Sequence, residues 1–264
     1  MSSATFYAVL ATLALVACAA AWARARSRAR AGEELLEACH SARSESDVAQ
    51  ALRLVDRADV NAVDLEYGET ALDRAEAAPR LAAVAAALRA RGGRTFGELA
   101  KAARAWLPGF VARALGSQLH RACCAEDFRA ACRLLLRGAD PDFRSGSTQS
   151  WPLAVVITNM TDAAISPLIR AGARLDLVDD YDGCTAFMLA CAYNPDVAFL
   201  LAEGAPLDVI SKEGSMLGAG KSALDYAECC SILTNEAAVI RRRGGRTGEE
   251  ILEERQQRVV DRRA

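Results

Sequence analysis

The apolar residues of this chain fall into two patterns. From Ala4 to Ala23 they form one run of 20 uncharged positions. A helix rising about 1.5 Å per residue covers ~30 Å over that length, the thickness of a bilayer's hydrocarbon core. Phe6, Val9, Leu10, Leu13, Leu15 and Val16 supply most of its hydrophobicity, and alanine the rest. Arg24, Arg26, Arg28 and Arg30 follow directly, while no basic side chain precedes the run. That asymmetry predicts a single-pass anchor whose C-terminal side stays in the cytoplasm. Two other readings use the same residues: Ala21-Trp22-Ala23 offers the small residues of a secretory cleavage site, and Leu15 to Cys18 has the form of a lipoprotein box with Cys18 acylated. Both lack the usual basic start.

From Glu34 onward the pattern changes to short apolar stretches separated by polar loops, and the stretches repeat. A shift of 152 positions lays Gly68-Glu69-Thr70-Ala71-Leu72-Asp73 over Gly220-Lys221-Ser222-Ala223-Leu224-Asp225. The register then holds without a gap through "RGGRT" at Arg91–Thr95 and Arg243–Thr247, with 14 of the 25 pairs from Ala71 to Thr95 identical. A shorter period lies inside the long one. Leu119, Leu153 and Phe187 are spaced 34 apart, Leu224 follows after 37, and Gly138-Ala139, Gly172-Ala173 and Gly204-Ala205 close the intervening segments.

Gly183-Cys184-Thr185-Ala186-Phe187, Leu119-His120-Arg121-Ala122 and Leu135-Leu136-Arg137-Gly138-Ala139-Asp140 carry a resemblance to the ankyrin repeat family. That family's unit is a helix-turn-helix opened by G-x-T-P-L-H-x-A and closed by L-L-x-x-G-A-D. The resemblance implies an all-α solenoid of stacked helix-turn-helix units with short loop hairpins, six in number, starting at Leu35, Leu72, Leu119, Leu153, Phe187 and Leu224. The expected organisation is an anchor with its basic flank at 1–30, two divergent repeats at 34–99, a connecting helix at 100–115, four repeats at 116–252 and a charged tail at 253–264. The letters have physical reasons. Thr70, Ser117, Thr185 and Ser222 stand where a hydroxyl caps free amides at a helix start. Pro152 suits a first helical position, and the closing glycines suit the left-handed residue that ends a helix. Pro108-Gly109 is expected to break the connecting helix, and Pro167 to shorten or kink the helix that holds it.

Gly218-Ala219-Gly220-Lys221-Ser222 has the look of a phosphate-binding loop, which would make the chain a nucleotide-dependent enzyme using Lys221. The loop motif G-x-x-x-x-G-K-[ST] requires Gly at 215, where Ser stands, and these residues occupy the same slot as Gly68-Glu69-Thr70. They are therefore expected to start a helix. Nine cysteines and two histidines show no zinc-ligand spacing, and no hydrolase elbow, HExxH or paired-carboxylate motif occurs. The expectation is no catalysis, no cofactor and no metal. His120 is expected to hydrogen-bond between loops, as the resemblance implies. A net charge of −2 gives no bulk field to draw nucleic acid.

What remains is a protein-binding surface. The resemblance implies a concave face built from loop tips and first helices. The tips offer Tyr67, Phe143, Arg144, Trp151, Tyr181 and Met216, with Asp179, Asp180 and Asp182 as an acidic set suited to a basic partner segment. The expected function is a membrane-anchored interaction module; the alternative is an exported or lipid-anchored protein that binds or inhibits a partner outside the cytoplasm. Asn159-Met160-Thr161 is a glycosylation sequon, of consequence only in that second case.

Overall fold

The computed structural model describes residues 3–146, 150–159, 163–194 and 204–261, with side chains from residue 17 onward. The fold is all-α. Extended backbone among the described residues is limited to a two-residue antiparallel pair, Val63–Asp64 with Glu69–Thr70, and two isolated bridges, Val178 with Thr185 and Ile210 with Ser222. Each of the three pairings ends on a hydroxyl residue that caps the helix that follows. The chain divides into two compact units, Met1–Leu99 and Ala100–Ala264.

The first unit begins with one continuous helix, α1, Ser3–Ser41. It is exposed from Ala17 to Arg30 and enters the core from Ala31, with Leu35 fully buried, as is Ala42 just past its end. Most of the apolar run expected as an anchor, residues 4–16, lies outside the residues whose side chains are described. Among the described residues no helix is long and apolar enough to cross a membrane. Helix α2, Glu45–Val55, folds back on α1 after a capping box in which Ser44 and Asp47 satisfy one another's amides. Helices α3, Ala71–Ala77, and α4, Ala82–Ala90, form the next pair, and α3 packs on α1 while α4 packs on α2. A single core results, centred on Leu35, Leu72, Leu81, Val84 and Leu88, all at 0% exposure.

Helix α5, Phe96–Ala105, contains the division between the units. The second unit then runs through α6, Gly109–Cys124; α7, Phe128–Leu136; α8, Pro152–Thr158; α9, Ile165–Arg170; α10, Ala186–Tyr193; α11, Ala223–Cys229; α12, Thr234–Arg242; and α13, Gly248–Asp261. Pro195 to Glu203, where the repeat period expects the partner helix of α10, lies outside the described residues. Each described pair packs internally, and α6, α8, α10 and α11 pack successively on one another. Leu119, Leu153, Phe187 and Leu224, one per helix, are all fully buried at those contacts. Each such burial removes a side chain from water at a gain of about 1.5–3 kcal/mol.

Local rules recur at equivalent positions. Thr70, Thr185 and Ser222 cap α3, α10 and α11 through their hydroxyls. Four second helices end alike: the N–H groups of Gly93, Ala139, Ala173 and Gly245 donate to the carbonyls of Leu88, Leu134, Leu168 and Ile240. The preceding residues Gly92, Gly138, Gly172 and Gly244 are left-handed, with φ between 77° and 91°. Ser117 departs from its expectation. Helix α6 starts eight residues earlier, at Gly109, so Ser117 sits mid-helix and caps nothing. The supposed connecting segment has simply lengthened that helix, and the break falls at Leu107-Pro108, with α9 short around a buried Pro167.

The 152-residue echo extends to individual hydrogen bonds. Asp73 accepts from the Thr70 N–H and hydroxyl at 2.8 and 2.7 Å and from the Phe96 N–H at 2.8 Å. Asp225 accepts from the Ser222 N–H and hydroxyl at 2.7 and 2.8 Å and from the Gly248 N–H at 2.7 Å. Each aspartate thereby ties a helix start to the helix that closes its unit. Arg89 bridges Glu76 and Glu98 as Arg241 bridges Glu228 and Glu250. A second equivalence links the unit openings, with the helix glycines offset by 84 and the loop residues that cross them by 81. A Cβ on Gly32 would stand 2.7 Å from Ala62 Cβ, and one on Gly116 would stand 2.6 Å from Phe143 Cβ. At both sites a returning loop crosses the first helix too closely for any side chain.

Gly116→Ala is expected to lower the urea-unfolding midpoint by an amount equivalent to about 1–3 kcal/mol, with Gly32→Ala acting alike on the first unit. For Asp225, burial alone would raise the carboxyl pKa, but the Ser222 and Gly248 amides outweigh it and hold the value below the usual 3.8. Its contribution is therefore complete above the unfolded-state value and is lost as pH falls through the lower folded-state value. Asp225→Asn should flatten that acid limb in a series of unfolding midpoints taken from neutral pH down to about pH 3.

Candidate interaction surface

The loop tips of the second unit are bound to one another side by side. In the loop that precedes α8, Arg144 donates to the Val178 carbonyl at 2.7 Å, pairs with Asp180 at 3.2 Å, and lies 5.7 Å from the Trp151 ring centre. The next tip, 178–184, is organised by Asp179, whose carboxylate accepts from the N–H groups of Tyr181, Asp182 and Cys184. Three further bonds fasten this tip to the one at 210–222. Lys212 donates its backbone N–H to the Asp182 carbonyl and its ammonium to the Asp180 carbonyl, and the Met216 N–H donates to the Asp182 carboxylate at 2.8 Å. Tyr226 on α11 holds the long tip from below, its hydroxyl donating to the Leu217 carbonyl.

This geometry sorts the expected site residues. Tyr67, Asp180, Tyr181 and Met216 are exposed, the last two each at 73%. Phe143 and Arg144 are half-buried, Phe143 against Gly116 and Arg144 within the ladder just described. Trp151 is a correction. It is 0% exposed at the N-cap of α8, packed in the core, and presents nothing to a partner. Its indole Nε1 finds no hydrogen-bond partner among the described residues. The acidic set is bound within the loops: Asp179 and the buried Asp182 accept from neighbouring amides, and the exposed Asp180 pairs with Arg144. Tyr67, in the first unit, rests on Arg74 at 5.8 Å and beside His40 at 6.5 Å. Arg74 itself is nearly buried and binds Asp64, Glu69 and the Leu36 carbonyl, pinning the 63–70 hairpin to α1.

Two exposed aromatics were absent from the sequence-derived set. Trp106 and Phe110, at 89% and 78% exposure, flank the Leu107-Pro108 elbow between α5 and α6. The signal available in the sequence was a pair of aromatics astride Pro-Gly, where chain geometry turns side chains outward.

Gly218 to Ser222 belong to the 210–222 tip and the cap of α11. Ser211 Oγ accepts from the Lys221 N–H and donates to the Gly218 carbonyl, the Gly220 N–H donates to the Ser211 carbonyl, and Ser222 donates to Asp225 and to the Arg246 carbonyl. The amides that a phosphate would need are directed at the chain's own oxygens. His120 is buried and held between Ser150 Oγ, 3.0 Å from Nε2, and Cys124 Sγ, 3.7 Å from Nδ1; burial lowers its pKa and favours the neutral ring. Among the described residues no three His, Cys, Asp or Glu side chains converge as a metal site requires. Burial pushes the thiols of Cys123, Cys184 and Cys191 up to about 12. The chain matches no protein-family model, and no curated protein matches it significantly.

Trp151→Ala should cost about 3–5 kcal/mol of stability, whereas Tyr181→Ala and Met216→Ala should each stay within about 0.5 kcal/mol, measured by urea unfolding. Brief alkylation of the folded chain at neutral pH should label Cys124 and Cys229 and leave Cys123, Cys184 and Cys191 unmodified until denaturant is added, as read by peptide mass.

Proposed function

We propose that this chain is an ankyrin-repeat protein that binds another protein through its loop tips, is tethered to a membrane by residues 4–23, and performs no catalysis. The row of loops fastened together through Arg144, Asp180, Asp182 and Lys212 carries the reading. Such a surface is already ordered before a partner arrives, so little entropy is lost on association. Tyr181 and Met216 project from it as apolar anchors of the kind that dominate interface energies. The recurring caps, glycine endings and buried leucines support the repeat assignment, since one helix pair cannot cover its own apolar face and must be stacked. The uncharged run followed by four arginines supports the tether and a cytoplasmic domain.

The occupied amides around Ser222 weigh against the nucleotide reading. Binding of ATP or GTP that is abolished by Lys221→Ala would restore it. The test of the binding surface is a chemical cross-link from the tip itself: a photoreactive residue placed at Lys212, adjacent to Tyr181 and Met216, should capture one discrete partner in native membranes. The double change Tyr181→Ala with Met216→Ala should reduce that product at least tenfold without altering the unfolding midpoint. An undiminished product would place the binding energy elsewhere. Intact mass of the native N-terminus separates the tether from the exported alternative, because cleavage before Cys18 or after Ala23 would remove the span.

A further inference from the structure

We infer that Trp22 and the arginines at 24, 26, 28 and 30 form a collar that binds the headgroups of anionic phospholipids and fixes the first unit against the membrane surface. The inference rests on the tether reading above and adds a chemical preference to it.

Helix α1 does not pause between the apolar run and the core. Every residue from Ala17 to Arg30 is exposed, and burial follows directly at Ala31. The collar is therefore a stretch of ordered helix that the folded unit leaves bare. It is fastened firmly at its far end. The Asp59 N–H donates to the Arg28 carbonyl at 2.9 Å, and Gly32 admits the same loop at a distance no other residue would allow. From Ala23 to Ala31 the helix rises about 12 Å. A unit held on so short a rigid post sits within reach of the headgroup layer.

The charge on this post is of one sign. No carboxylate occurs in the sequence before Glu33. Arg28 shares a cleft with Asp56 and Asp59, and the other three have these neighbours. Arg24 turns its guanidinium to its own helix carbonyl at Ala20, Arg26 lies 5.2 Å over the Trp22 ring, and Arg30 reaches Glu34 at 3.7 Å with both side chains exposed. At 100° per residue, Arg24 and Arg28 share one side of the helix and Arg26 and Arg30 the other, so the charge encircles the post. Trp22, 64% exposed, stands at the boundary between apolar run and arginines, where an indole favours the headgroup level. Guanidinium groups pair bidentately with phosphate, and each basic residue near an anionic surface adds attraction that salt screens.

The test is flotation of the full chain with preformed vesicles of phosphatidylcholine alone or mixed with phosphatidylglycerol, at low and high salt. Capture should favour the anionic vesicles, weaken with salt, and fall about a thousandfold when all four arginines are changed to Gln. Changing the four to Lys should retain capture, and circular dichroism should find both variants as helical as the parent. Equal capture by neutral and anionic vesicles, an unaffected Gln variant, or preference for polyuridylic acid over anionic vesicles would overturn the collar. The tether is read separately, by carbonate extraction of native membranes. Resistance to carbonate without charge selectivity removes the collar and keeps the tether; extraction by carbonate with charge selectivity does the reverse.

Discussion

A helix pair of this chain has one apolar side and no means of covering it. That constraint organises the rest. Leu72 lies on α3 where α1 can shield it, and Leu119, Leu153, Phe187 and Leu224 lie where α6, α8, α10 and α11 meet in succession. Burial of this kind is non-directional and would tolerate many arrangements. The directional groups select among them. Hydroxyl caps fix where a first helix starts, left-handed glycines fix where a second helix stops, and the loop between pairs has one length left to span.

An array of such pairs must also end somewhere, and each unit ends in the same way. A carboxylate at the start of the last pair, Asp73 or Asp225, reaches forward to the first amide of a closing helix. The same oxygen caps its own helix, so a single half-buried charge is satisfied by two helix starts at once. The short link "RGGRT" makes this possible. Its second glycine passes so near the preceding helix that a Cβ at Gly93 or Gly245 would fall within 2.8 or 2.2 Å of Leu88 or Ile240. The unit openings are equally constrained, by Gly32 and Gly116. Four glycines thus mark the places where backbone crosses backbone, a different use from the turn glycines that supply a positive φ.

The loops show how rigidity and display coexist. Acidic side chains in the 178–184 tip serve as internal scaffolding: Asp179 gathers three amides, Asp182 a fourth from the neighbouring loop, and Asp180 an arginine. The exposed remainder of the tips sets Tyr181 and Met216 among the charged residues Asp180, Lys212, Glu213 and Lys221. Tyr181 and Met216 are exposed because the backbone beneath them has no other freedom.

The sequence by itself determined the helical class, the recurrence of the segments that close the two units and the caps at Thr70, Thr185 and Ser222, because these depend on residues near one another in the chain. It also showed that Lys221 occupies a helix-start slot, since the slot recurs with other residues. Only the tertiary structure decided which aromatic faces out. Trp151 stands in the N-cap slot that Thr185 fills one period later and lies in the core, whereas Tyr181 stands four residues before that slot and meets solvent. The fate of a charge was likewise invisible, since Asp182 looks like part of a surface patch until folding brings it the Met216 amide from the neighbouring loop. Ser117 was misplaced for a related reason: a hydroxyl caps a helix only where the helix begins, and the upstream segment, packed as part of α6, moved that beginning to Gly109. Local pattern fixes what an element is; which groups it meets depends on residues far away in the chain, and those encounters exist only in the folded molecule.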